Sequence, residues 1–159
     1  MRKSGNLSTT LIISGVVLLV ASTFLLFIMP NMLKPPTDLW LGDGIFRAKL
    51  ALNDVEREKG LSGTEELQSD QILLMAFPYE DKWSIWMKDM NFPIDIVWLN
   101  SAKKVVFIKL NATPESYPDK FLPKTNASYV VELPAGTVES KSIKVGKFAV
   151  FEIDKKDIK

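Results

Sequence analysis

The chain has no cysteine and no histidine among its 159 residues, and both absences narrow its chemistry. Without these side chains the usual zinc and copper ligand sets cannot be assembled. A Ser–His–Asp triad, a Cys–His pair and a histidine general base are equally out of reach. No cysteine can be acylated, and a domain exported without disulfides must draw its stability from packing. Carboxylates, lysine, serine, tyrosine and oxygen-ligated metal remain. Asp43-Gly44 lacks the repeated Asp/Asn spacing and closing Glu of a calcium loop, so no metal and no other cofactor is expected.

Charge is missing from one long stretch. Between Lys3 and Lys34 no residue is ionisable, and the centre, Leu11 to Met29, is almost wholly apolar. As a helix rising about 1.5 Å per residue, such a run spans the ~30 Å hydrocarbon core of a bilayer. Arg2 and Lys3 precede it, so the positive-inside rule places the N-terminus in the cytoplasm and the remainder outside. Phe27-Ile-Met-Pro-Asn-Met-Leu-Lys carries no small-x-small cleavage pattern, which favours an uncleaved single-pass anchor over secretion after signal cleavage. A soluble core helix is the weakest reading. The expected organisation is a cytoplasmic N-terminus (1–10), a transmembrane anchor (11–29), a proline-rich spacer (30–37), a β domain (38–153) and a charged tail (154–159) that frays.

All 19 acidic residues and 17 of the 20 basic ones lie beyond position 37, a net charge of −2 for that part. With no basic block, nucleic acid is not an expected partner. Ile45–Leu52 alternates apolar and polar residues as a half-buried strand does. Asn53 with Glu56 reads as a capping box, and Gly60 as the glycine ending a short helix. Strands are expected at 72–77, 83–88, 94–99, 105–110, 129–133 and 147–153, with a turn at 79–82 and a short turn or helix near 138–141. Asn111 to Asn126 is a long proline-bearing loop, and Asn111 and Asn126 each begin a glycosylation sequon. The fold class predicted is mainly β, a compact β-sandwich or barrel-like domain with one or two short helices, behind a single N-terminal transmembrane helix.

Four ordered segments carry a family resemblance. Ile85-Trp-Met-Lys-Asp-Met-Asn-Phe-Pro-Ile-Asp-Ile is similar to the Phe-Trp-Met-Lys-Asn-Thr-x-x-Pro-Leu-Asp-Ile element of domain of unknown function family 192. Glu56-Arg57-x-x-Gly60-Leu61, Leu73-Leu-Met-Ala-Phe77 and Val130-Val-Glu-Leu-Pro-Ala-Gly136 resemble three further elements in the family's order. The resemblance implies a compact β sandwich, often exported or anchored by one helix, and no established activity.

Candidate site residues cluster on that signature. Trp83 and Trp86 beside Lys88, Asp89 and Asp95 combine aromatic platforms with charged groups, as sugar-binding sites require. Equally, Asp95 suits a carboxylate that accepts backbone N–H bonds. Glu132 lies in an apolar strand, where it is either a raised-pKa acid facing Asp89 or Asp95, as in glycoside hydrolysis, or an ion-pair or turn partner. Tyr117 and Phe121 supply aromatic contacts from the long loop. Arg57 is either an anion clamp or a bridge to Asp54 or Glu56. A Ser84–Lys88 dyad would need a buried lysine. The leading expectation is a non-catalytic binding module for envelope glycan or an exported protein. The alternatives are a carboxylate-based hydrolase of an envelope polymer and a membrane-complex assembly factor, associating through Ser14-Gly15.

Overall fold

The computed structural model describes residues 37–159. The N-terminal segment 1–10, the apolar segment 11–29 and residues 30–36 of the spacer lie outside the described residues. Strand formation begins at once: β1 (Thr37–Leu41) turns through Gly42 into β2 (Gly44–Ala51), and the two pair antiparallel. Gly42 sits at φ +59, and a Cβ there would lie 2.1 Å from the Lys141 carbonyl, so only glycine fits the turn.

The helix α1 (Asp54–Lys59) is built as the sequence predicts. The Asn53 side chain accepts the Glu56 N–H at 3.0 Å, and the Glu56 carboxylate accepts the Leu52 N–H at 2.7 Å. Gly60 ends the helix at φ 51 and ψ −127, returning its N–H to the Glu56 carbonyl. Because α1 crosses over the sheet, the next strand, β3 (Gln71–Asp81), runs parallel to β2. This strand continues past Pro78, where a turn is predicted. Proline cannot donate to the ladder, and the register against the neighbouring strand shifts between Ala76 and Asp81.

Beyond it lie β4 (Ile85–Trp86), β5 (Ile94–Leu99), β6 (Val105–Ala112), β7 (Lys120–Phe121), β8 (Ala127–Pro134) and the short helix α2 (Thr137–Ser140). The six longer strands form one mixed sheet in the order β1-β2-β3-β8-β5-β6, and β4 pairs only with β7 in a separate ribbon. The expected strand at 83–88 shrinks to two residues because its partner offers only two.

Among the described residues the fold is mainly β with two short helices, but it is not a barrel. The segment predicted as a last strand, 147–153, makes only isolated bridges, Phe148 to Lys104 beside β6 and Val150 to Trp40 in β1. Those bridges touch both edges without a ladder that would close them. Nor are there two comparable sheets packed face to face. Instead, the large sheet carries apolar side chains on both faces. One face holds Phe46, Ile72, Leu74, Val97, Leu99, Val131 and Leu133. The other holds Leu73, Met75, Ile94, Ile96, Trp98 and Val130, covered by Leu61, Ile85 and Met87. Central strands buried on both sides read as continuous apolar runs, and β5 is buried at all six positions.

Residues 154–159 do not trail away. They form a 3₁₀ turn at Lys155–Asp157, and the Lys159 N–H bonds the Leu52 carbonyl at 2.8 Å.

Candidate functional site

A cleft of about 190 Å³ opens between the end of α1, strand β3 and the β4–β7 ribbon. Gly60, Leu61, Met75, Ile85, Trp86, Met90, Lys120 and Glu132 are among its lining residues. The residues from the three elements converge because two loops are tied together. Ser62 Oγ donates to the Lys88 carbonyl at 2.8 Å, the Gly63 N–H to the Asp89 carbonyl at 2.9 Å, and Asn91 Nδ2 to the Thr64 carbonyl at 2.9 Å.

Glu132 forms part of the lining at the sheet side. Strand pairing sets it opposite Leu73 and Ile96, two apolar neighbours. Its Oε2 is buried and has no hydrogen-bond partner among the described residues. Loss of water without a compensating charge pushes its pKa from 4.5 up to about 8, so the carboxyl is protonated at neutral pH. Gly60 keeps the approach open, since a Cβ there would stand 3.3 Å from the Met75 methyl and 3.8 Å from Glu132 Oε2.

The opposite wall is aromatic and basic. Trp86 is half-buried in β4, directly across the ribbon from Lys120. The Lys120 ammonium lies 5.2 Å from the Trp86 ring centre and that of Lys88 5.8 Å. Tyr117 meets the same ring edge-on at 6.2 Å. Of the residues predicted for a site, Trp86 and Glu132 thus line one cleft, and Lys88 and Tyr117 lie against the Trp86 ring outside its lining. Phe121 pairs with Ile85 in the ribbon and lies beneath the Lys109 ammonium at 5.0 Å. Lys120 escaped the sequence reading. Its place depends on a two-residue pairing across more than thirty positions of chain, for which no local pattern exists.

Other candidates lie elsewhere or are already engaged. Asp95 points to the opposite face of the sheet from Glu132, on the side of Val97 and Leu99. Strand alternation therefore prevents the two carboxyls from sharing a site. Both oxygens of Asp95 are taken, by the Asn111 N–H at 3.0 Å and the Val138 N–H at the start of α2 at 2.9 Å. Asp95 is a peg between β6 and α2. Trp83 stacks on Phe77 at 4.1 Å, and its carbonyl accepts the buried Trp98 indole N–H at 2.8 Å. Asp89 is exposed at φ 53, fixed through its backbone. Lys88 is exposed, which removes the desolvation a Ser84–Lys88 nucleophile needs.

Arg57 spends its donors within the fold. It bonds the Ala76 carbonyl at 2.7 Å, the Asp54 carboxylate at 2.6 Å and the Lys159 carbonyl, with its guanidinium 5.1 Å from the Phe77 ring centre. No group of three or more potential metal ligands occurs among the described residues.

Relatives are found in sequence and in fold. The chain is 26% identical over 121 residues to a UPF0127 protein of Thermococcus sibiricus, covering 76% of this chain and 73% of that one. A UPF0127 protein of Thermococcus gammatolerans is 28% identical over 110 residues, 68% of each chain. A solved structure from Sinorhizobium meliloti 1021, described as a candidate transcription regulator, superposes with a TM-score of 0.67 at 26% identity. It covers 74% of this chain and 92% of its own. A protein of unknown function from Novosphingobium aromaticivorans gives a TM-score of 0.66 at 23% identity, with coverage of 72% and 83%. The sequence profile of the DUF192 family, described as uncharacterized ACR, matches residues 40–150, from the end of β1 through the cleft to the bridges of the last segment; the chain belongs to the DUF192 family.

Proposed function

We propose that this domain is a non-catalytic binding module for an envelope carbohydrate. In this reading residues 11–29 hold it in the membrane with the N-terminus in the cytoplasm and the β domain outside. The observation that carries the proposal is the pairing of Trp86, an aromatic surface at the cleft wall, with Glu132, a buried carboxyl lacking a partner in the same lining. Sugars present apolar ring faces for the first and hydroxyls or amides for the second. Catalysis by two carboxylates loses its best pair, because Asp95 and Glu132 occupy opposite faces.

The test is a pull-down of envelope polysaccharide on the full chain in detergent, beside Trp86→Ala. Retention by the native protein and at least a ten-fold loss in the variant are expected. Absence of retention by the native protein overturns the proposal, as does equal retention by both.

A further inference from the structure

Resting on the carbohydrate-binding reading above, we infer that the cleft selects a carboxylate-bearing sugar. The ligand's anionic group engages Lys120 at the opening, while an uncharged hydroxyl or amide of the ligand meets Glu132.

Charge distribution argues for this orientation. Titratable and charged groups along the cleft are Arg57, Glu58 and Lys59 from α1, Lys120 from β7 and Glu132 itself from β8; β3, β4 and Ser84 just before β4 add only uncharged side chains. Arg57 is occupied by three internal acceptors. Among the described residues no cation is bonded to Glu132, whose Oε2 stays without a partner. A buried carboxyl in that setting keeps its proton, and offers one O–H donor and one acceptor to a neutral ligand group. An ammonium-bearing sugar would have to ionise Glu132 within an apolar strand and pass Lys120 to reach it.

The rim works the other way. Lys120 and Lys88 lie near the Trp86 ring, at distances where cation–π attraction is weak for exposed groups. An anion on the ligand outcompetes that attraction and draws a lysine away, and the vacated ring face becomes the stacking surface. A neutral sugar provides no such exchange, so it has to displace the ammonium without compensation.

The experiment titrates the full chain in detergent by calorimetry with equal-length oligomers of galacturonate, glucose and glucosamine, at pH 6.5 and pH 9. Galacturonate binding at least ten-fold tighter than the other two at pH 6.5 is expected. Its affinity should fall at least ten-fold at pH 9 in the native protein, where Glu132 ionises, and by less than two-fold in Glu132→Gln, which stays neutral. Lys120→Met should erase the preference for the acidic oligomer. Equal affinity for all three oligomers overturns the inference while leaving the carbohydrate reading intact. Preference for glucosamine overturns it too, as does an identical pH profile in Glu132→Gln. Binding of none of the three also overturns it, and the envelope pull-down then decides separately whether the carbohydrate reading survives.

Discussion

Replacing Glu132 by glutamine isolates the energetic consequence of placing a carboxyl in an apolar strand. In the unfolded chain the group titrates near 4.5, and in the fold near 8. Between these values the folded state holds a proton that the unfolded state has released, so stability falls as pH rises. The full contribution is present below pH 4.5 and is lost by the time pH passes about 8. At about 1.4 kcal/mol per pH unit the loss across that window is of order 5 kcal/mol, of which about 3 kcal/mol has occurred by pH 7. Glutamine copies the neutral acid in shape and cannot ionise, so its stability should be flat where that of the native protein slopes. Guanidinium unfolding at pH 5, 7 and 8.5 provides the measurement. The variant should gain on the native protein by about 2–3 kcal/mol between pH 5 and pH 7. Parallel slopes in the two proteins would show that Glu132 ionises without cost, and the argument for an unpartnered buried acid would fail.

Asp95→Ala should lower stability by about 3 kcal/mol in urea unfolding, since the Asn111 and Val138 N–H groups lose their acceptor. Ligand affinity of the folded protein should stay within two-fold, because Asp95 faces away from the cleft. Gly60→Ala places a Cβ at φ 51 beside the Met75 methyl, so it should cost about 1–2 kcal/mol and also weaken binding at the cleft. Arg57→Ala should release the C-terminal turn, seen as faster amide exchange at Lys159, with about 2 kcal/mol lost in chemical denaturation.

Local signals carried much of the architecture. Asn53, Glu56 and Gly60 marked α1 to within a residue, because capping is decided by contacts three or four positions apart. A strand was legible at 94–99, and its residues, apolar apart from Asp95, are buried throughout, as in a strand covered on both faces. Trouble began where a strand depends on its partner. Residues 147–153 have the composition of a strand but meet two edges at single points, while 83–88 is cut short by a two-residue neighbour. The parallel pairing of β2 with β3 was likewise invisible, since periodicity does not report direction.

The site follows the same division. Trp86, Lys88 and Glu132 drew notice through residue type and setting, whereas Lys120 became significant only when the ribbon set it against Trp86. Composition by itself excluded thiol and imidazole chemistry, and four ordered segments indicated the family. Short-range order is written in neighbouring residues, so a linear reading reaches it. Which side of the sheet each carboxyl occupies, and which lysine stands over which ring, depend on register between distant segments. Only tertiary packing decided that Asp95 is a structural peg and that Glu132 lines a cleft.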